Sequence, residues 1–384
     1  MHIPTVLCAG VYDDVALGVA DYVKTHDAAA QIRSGDFSRL PSMREGARGV
    51  IGHFSVRRHI ESLAALDLPM VNVSGVLAEP GITSVVADSR AIGELAARHL
   101  QAKGYRRFAV VSRNWEHFAV ERKEAFESAI RGAGLECHIW TRDALLSDSA
   151  IRGEFRRWLA ELPKPVGLFA TLDDIAMEVV LAAEEEELPV PQDLAVVGVG
   201  DTPRICEVLR PTISSVRIPW RLLGYRAAET LYTLIDAGIG YHMDRPRTVL
   251  VPPETVIARQ SSDTFAVEDE VVRSALRFIA AHVHEQINVG DLLEAVPVSR
   301  RVLEVRFREH LGRTPLKEIH RQRIERARQL LIRTDSTVES VALQSGFTNK
   351  VRFTDIFKRH TGQPPAEFRS RYQQRSAARG ASAE

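Results

Sequence analysis

The sequence predicts two parallel α/β lobes followed by an all-helical domain that holds two helix-turn-helix units. Three observations predict it. Short β-branched runs alternate with helical patterns from Pro4 to about Val251, a polar aperiodic stretch follows at residues 260–270, and every segment from Val271 onward has helical periodicity with an internal duplication. A chain of 384 residues has room for about two or three domains of roughly 100–200 residues each.

Composition narrows the class. With 45% hydrophobic and 26% charged residues, the chain matches globular proteins and not fibrous or disordered ones. No apolar run approaches the ~20 residues of a bilayer span, so no membrane partner is expected. The opening MHIPTVLCAGVYDD lacks a basic n-region and reaches Asp13 and Asp14 too early for a signal peptide; a first buried strand and a cytoplasmic location are expected. Cys8, Cys137 and Cys206 are too scattered for a disulfide framework or a zinc site and read as core thiols. The formal net charge of zero conceals an asymmetry. Residues 265–384 carry 21 Lys and Arg against 15 Asp and Glu, leaving 29 against 35 upstream. A basic end on an acidic body suits a phosphate-backbone partner, although a solvated basic surface would have the same composition.

Upstream, the strand candidates are Thr5–Ala9, 49–54, 70–73, 84–86, 107–111, Val166–Ala170 and Leu194–Val199, and the clearest helical patterns lie at 89–103, 121–133 and 175–187. That alternation implies parallel sheets wrapped by helices, with ligands taken beyond the strands' carboxyl ends. Polar residues punctuate those ends: Tyr12, Asp13 and Asp14, then Asp88, then Asp173 and Asp174, then Gly200 and Asp201. Converging carboxylates suit hydroxyl-rich ligands because each accepts hydroxyl protons, whereas each Asp taken singly before a helix reads first as an N-cap; their recurrence at the strand ends is what favours a ligand site. Trp115, Phe118 and Trp220 either stack on a ligand or pack the core.

The phrases ADSRAIGELAARHLQAKGYRRFAVV, LPVPQDLAVVGVGDT and RPTISSVRIP resemble the type I periplasmic-binding-protein fold that serves LacI/GalR-type regulators as a core. The resemblance implies two lobes joined by three crossovers, near Ser112, Ile218 and Val251, with the ligand in the cleft. It makes Asp88 a first cleft acid and Arg122, four residues before Phe126, the ligand arginine; Arg122 also reads as a helix-surface ion-pair partner. Gly200 occupies the place where sugar-binding relatives carry an aspartate, with Asp201 next. The expected ligand set is Tyr12, Asp13, Asp88, Arg122, Asp173, Asp201 and Trp220.

Downstream, helices are expected at 271–284, 289–296, Arg300–Leu311, Pro315–Arg333, Val338–Gln344, 350–360 and Pro365–Gln373. A repeat relates Ser299, Leu303, Phe307, Arg308, His310, Gly312 and Pro315 to Asn349, Phe353, Phe357, Lys358, His360, Gly362 and Pro365. Each copy is a capped helix with inward apolar i+4 and i+8 positions and a terminal Gly, preceded by a short helix and a turn. The rod between them, Pro315 to Thr334, should measure about 27–30 Å, close to the ~34 Å repeat of B-DNA, so both second helices would enter the major groove on one face of the duplex. A helical interaction bundle is the competing reading.

The strings SxxxLxxxFxxxxGxTP, RxxxAxxLL (Arg323, Ala327, Leu330, Leu331) and FTDIFKRHTGQPPAEFR resemble an AraC/XylS-type DNA-binding domain over about 271–373. The resemblance makes Arg300, Arg301, Glu304, Asn349, Lys350, Arg352 and Asp355 the DNA-facing positions near the helix starts, with Arg308, Lys358 and Arg359 farther along and on phosphates. Such a domain behind a LacI-like lobe pair resembles activators of the xylose-operon type. That implies xylose or a related sugar as effector, a homodimer, and RNA polymerase as a further partner. The expected domains are 1–260, a linker at 261–270, 271–375, and a tail at 376–384. A solute receptor or a sugar-modifying enzyme would compete, but no nucleophile–base pair, Walker A, GxSxG or HExxH string occurs, and Val197–Asp201 has a GxG without continuation. Neither an enzyme activity nor a cofactor or metal is expected.

Overall fold

The computed structural model describes residues 3–27, 29–142, 149–240, 246–263, 269–334 and 336–373. The expected tail and positions 264–268 of the expected linker lie outside the described residues. One compact unit comprises residues up to His99, Arg107–Pro163 and Gly167–Ser262; the other is formed mainly by residues from Asp263 onward.

The first unit is built twice on one plan. Its first lobe runs β1 (Thr5–Ala9), α1 (Asp13–His26), β2 (Gln31–Gly35), β3 (Ala47–Gly52), α2 (Arg57–Ala64), β4 (Met70–Asn72) and β5 (Thr83–Ala87). The second runs α3 (Ser89–Ala102), β6 (Arg107–Arg113), α4 (His117–Gly132), β7 (Glu136–Arg142), α5 (Ser149–Glu161), β8 (Val166–Ala170), α6 (Asp173–Glu185), β9 (Leu194–Val199), α7 (Pro203–Cys206) and β10 (Ser214–Val216). The chain then returns as α8 (Trp220–Asp236) and β11 (Thr248–Val251) before finishing at β12 (Val256–Ile257). The sheets are ordered β11-β5-β4-β3-β1-β2 and β12-β10-β9-β8-β6-β7. β1, β8 and β9 are buried throughout because helices cover both faces, which is why they read as continuous apolar runs.

The crossover expected near Ser112 lies elsewhere. Ser112 is inside β6, and the chain changes lobes between β5 and α3, at Asp88. The reason is packing: α3 lies so close to α4 that a Cβ on Gly93 would sit 2.3 Å from the Arg122 carbonyl oxygen. The other two crossovers are where they were expected, after β10 and after β11.

The second unit is α9 (Glu270–His282), α10 (Val289–Ala295), α11 (Arg300–Leu311), α12 (Pro315–Arg333), α13 (Val338–Gln344), α14 (Lys350–Thr361) and α15 (Pro365–Gln373). It has two cores. Leu276, Leu292, Leu303, Phe307 and Ile319 fill the first; Ile324, Ala327, Leu331, Phe347, Phe353, Phe357 and Phe368 fill the second. Ile319 belongs to one core and Ile324 to the other, so α12 is shared by both.

Helices α1 and α8 meet through glycine. A Cβ on Gly224 would stand 2.0 Å from the Val15 carbonyl oxygen, and one on Gly18 would stand 1.9 Å from that of Arg221. Backbone cannot yield as a side chain does, so Gly224→Ala should destabilise the first unit by about 1–3 kcal/mol. Urea unfolding followed by circular dichroism measures this, and an unchanged midpoint would contradict the contact.

Candidate effector cleft and nucleic-acid interface

The carboxyl ends of both sheets open onto one cavity of about 660 Å³. β1 supplies Tyr12, Asp13 and Asp14 and β3 supplies His53, while β6 leads to Arg113 and Glu116, β8 to Asp173 and Asp174, and β9 to the turn Gly200–Thr202. The rim is closed by backbone bonds: the amides of His117 and Phe118 donate to the carbonyls of Val76 and Gly75, each at 3.0 Å.

Arg122 is the central cation. It is buried, so it is not the surface ion-pair partner of the second reading. Its Nη1 donates to the Thr171 carbonyl at 2.8 Å, its guanidinium lies 4.5 Å from the centre of the Phe118 ring, and its Nε has no hydrogen-bond partner among the described residues. Burial lowers its pKa to about 10, opposed by Glu116 and Asp173. Burial likewise raises the Glu116 carboxyl, against the pull of Arg113. On the opposite wall exposed Tyr12 packs its ring 5.5 Å from His53 and 5.3 Å from Trp220. Asp13, in the first turn of α1, is exposed to the cavity. Sequence reasoning missed His53, whose pKa burial lowers, and Arg204. Neither sits in a motif, and only the fold brings each to the cleft.

Three acids hold protein instead of solvent. Asp88 does not line the cavity; it accepts from the Ala91 amide at 2.9 Å and caps α3. That corrects its reading as a cleft acid, in favour of the N-cap. Asp173 does line the cavity, but its carboxylate accepts from Ser215 Oγ at 2.6 Å and from the Thr202 amide at 2.8 Å, so it shapes the β9–α7 turn. Burial raises its pKa against those bonds. Asp201 lines the cavity with its carboxylate already paired to Arg217 Nε at 2.6 Å and Arg259 Nη2 at 2.7 Å, which corrects its reading as a free ligand acceptor. Trp115 is exposed and lies outside the cavity lining, whereas Phe118 and Trp220 are part of it.

In the second unit the duplicated caps form as the repeat implies. Ser299 accepts from the Val302 amide at 3.3 Å and Asn349 from the Arg352 amide at 2.9 Å, so Asn349's carbonyl serves the helix start. Gly312 and Gly362 end α11 and α14 at φ +67° and +80°, a region that favours glycine. Arg300, Arg301, Arg308, Lys350, Arg352, Asp355 and Lys358 are all exposed. Glu304 is half-buried and paired with Arg300 at 3.1 Å and Arg308 at 3.7 Å, so it orders these two cations. The structure adds Val351 as the most exposed apolar side chain of the two helices at 75%. Its signal in the sequence is that it occupies, in the second copy, the place of Arg301, and a methyl there suits a thymine methyl.

Between the two helices, buried charge holds α12. Arg323 Nη2 donates to the carbonyls of Glu285 and Ile287, both at 2.8 Å. Glu318 is fully buried and takes Arg313 at 2.5 Å, Arg321 at 2.7 Å and Gln322 at 2.9 Å. His320, half-buried and near Arg323 and Arg352, has its pKa pushed down to about 4, by loss of solvent first and then by those cations, and is neutral near pH 7.

Similarity to known proteins agrees with this geometry. Residues 97–262 match the periplasmic binding protein-like domain and residues 292–371 a helix-turn-helix domain. The xylose operon regulatory protein of Escherichia coli (strain K12) is 32% identical over 377 residues, covering 93% of this chain and 94% of the relative. The chain belongs to the xylose operon regulatory protein family. That of Haemophilus influenzae is 28% identical over 84% of each chain. The solved structure of a xylose-binding transcription activator superposes with a TM-score of 0.61 at 29% identity, covering 96% of this chain and 99% of that one. The lobe pair also shares its fold with a cellobiose-bound regulator, at 21% identity and a TM-score of 0.54. The chain is therefore a DNA-binding, ligand-responsive transcription regulator, and among the described residues no helix is long and apolar enough to cross a membrane.

The Glu318 cluster makes the helical unit sensitive to acid. Burial opposes its charge, but Arg321, Arg313 and Gln322 outweigh burial and hold the carboxyl below its ordinary 4.5. A depressed folded pKa contributes stability that is present above the unfolded value and lost as pH falls through the folded one. Thermal unfolding of the second unit should therefore show stability declining below about pH 4.5, and Glu318→Gln should flatten that decline while lowering stability near pH 7. An identical pH profile in the variant would contradict the assignment.

Proposed function

We propose that this regulator binds xylose or a related sugar in the cleft and activates transcription, in the cytoplasm, as a homodimer acting with RNA polymerase and without catalysis of its own. The observation that carries the reading is the pairing, in one chain, of a ligand-sized cleft around the buried, incompletely satisfied Arg122 with two capped helices whose exposed starts are basic. Arg122 donates to a sugar hydroxyl, Asp13 accepts from another, and Tyr12 and Trp220 cover an apolar face of the ring, while Asp173 keeps the β9–α7 turn in place. The effector domain corresponds to 1–260 and the DNA-binding domain to 271–375.

On DNA, Arg300, Arg301, Lys350 and Arg352 meet base edges, Asp355 accepts from a cytosine amine, and Asn349 and Glu304 position the helix starts. Arg308 and Lys358 neutralise phosphates. Xylose closing the lobes shifts the balance between two arrangements of the dimer on DNA, by no more than its preference for the closed form.

Two tests separate the parts of this reading. Arg122→Ala should remove xylose binding by calorimetry while leaving effector-free DNA binding intact; undiminished affinity would take Arg122 out of the site. Arg301→Ala should cost about 1–3 kcal/mol on the preferred sequence and relax discrimination, whereas Lys358→Ala should weaken every sequence alike and reduce the salt slope by about 1. Equal loss of specificity in both variants would overturn the division of roles.

A further inference from the structure

Asp201 stands at the cleft, yet its carboxylate is spent on two arginines that belong to the hinges. Arg217 follows β10 on the second crossover; Arg259 follows β12, after the third. Arg217 pairs with Oδ2 at 2.5–2.6 Å and Arg259 with Oδ1 at 2.7 Å, and the Asp201 side chain is only 5% exposed. The two crossovers are also joined by backbone, the Arg217 amide donating to the Thr255 carbonyl at 2.9 Å and the Glu254 amide to the Arg217 carbonyl at 3.0 Å. One carboxylate thus gathers the cleft turn and both hinge segments.

The residue after Arg259 begins the last turn before the helical unit, and that turn is fastened to the second lobe. Ser261 Oγ donates to the Val196 carbonyl at 2.7 Å and accepts from the Ser214 amide at 2.9 Å, Ser262 Oγ donates to Ser214 Oγ at 2.8 Å, and Gln260 Oε1 accepts from the Thr212 amide at 3.0 Å. Ser261 and Ser262 are fully buried. Asp263 follows directly and belongs to the second unit.

The turn that carries Asp201 is itself conformationally constrained. Gly200 has φ +126° and Asp201 φ +56°, the latter uncommon outside glycine, asparagine and aspartate. The Asp201 amide donates to Ser215 Oγ at 2.9 Å, and Asp173 holds both Ser215 and Thr202. Gly200–Thr202 lines the cavity, so the turn that carries Asp201 and its ion pairs is the part of this network that a group in the cleft can touch.

From this geometry we infer that Asp201 and Arg259 are positioning residues for the effector response: their ion pair carries movement of the cleft turn to the segment Gln260–Ser262, which precedes the DNA-binding unit in the chain. The inference rests on the cleft being the effector site. Arg259 itself lies outside the cavity lining. Breaking the pair uncouples the two activities without removing either one.

The experiment uses the full chain with D-xylose as the probe and a labelled operator duplex. In wild type, xylose should change DNA affinity by a factor in the usual allosteric range of about 5–150. In Arg259→Gln that factor should fall below about twofold while the xylose dissociation constant stays within about threefold, and Arg259→Lys, which keeps the charge, should restore most of the response. A wild-type response in Arg259→Gln overturns the inference, as does a failure of Lys to rescue. A readout independent of the effector is amide exchange in xylose-free protein. Asp201→Asn should speed exchange at Gln260–Ser262 and leave β1 and β8 unaltered; unchanged exchange at Gln260–Ser262 overturns the link even where xylose binds normally. Absence of xylose binding in wild type with accelerated exchange in Asp201→Asn overturns the sugar assignment and supports the link.

Discussion

The helical unit depends on α12 serving two cores at once. Ile319 closes the core under α11, and Ile324, Ala327 and Leu331 close the core under α14. A rod that is packed at both ends cannot slide or rotate relative to either recognition helix without opening a core, and core openings are costly. The buried Glu318 and Arg323 add direction to that constraint, because turning α12 would break their bonds: Glu318 with Arg313, Arg321 and Gln322, Arg323 Nη2 with the carbonyls of Glu285 and Ile287. The separation of α11 and α14 is thereby a property of the packing.

The cleft unit solves a different problem. Its two sheets repeat one strand order, so their carboxyl ends face a common space, and the polar residues after each strand gather there without any loop having to reach far. Burial then sorts those residues. Arg122 stays charged against a lowered pKa and keeps Nε without a hydrogen-bond partner among the described residues, whereas Asp88, Asp173 and Asp201 spend their oxygens on a helix start, a turn and two hinge arginines. The cleft is consequently less acidic toward a ligand than its sequence suggests.

Much of this was legible in the chain. The pairing of Ser299 with Asn349 and of Gly312 with Gly362 revealed two copies of one capped helix, because caps and left-handed glycines are set by local chemistry that tertiary structure seldom overrides. β1, β8 and β9 were legible for a similar reason, being apolar on both faces. Edge strand β2, with the polar string QIRSG, and the mostly exposed β11 were not, since an edge position needs no alternation or apolar run to pair. The crossover at Asp88 escaped because it depends on the close approach of α3 and α4 at Gly93. Asp201 was found as a residue but misjudged in role: its partners Arg217 and Arg259 are 16 and 58 positions away, and nothing in the local string announces them.

The central claim is that two recognition helices are held at a fixed separation on one face of the duplex. The most direct measurement is the affinity of the full chain for duplexes whose two half-sites are centred about 10 bp apart, compared with the same half-sites about 15 bp apart. Half a helical turn carries the second half-site to the opposite face, so the account predicts at least about a tenfold loss with the longer spacer. Equal affinity for both spacings would contradict it.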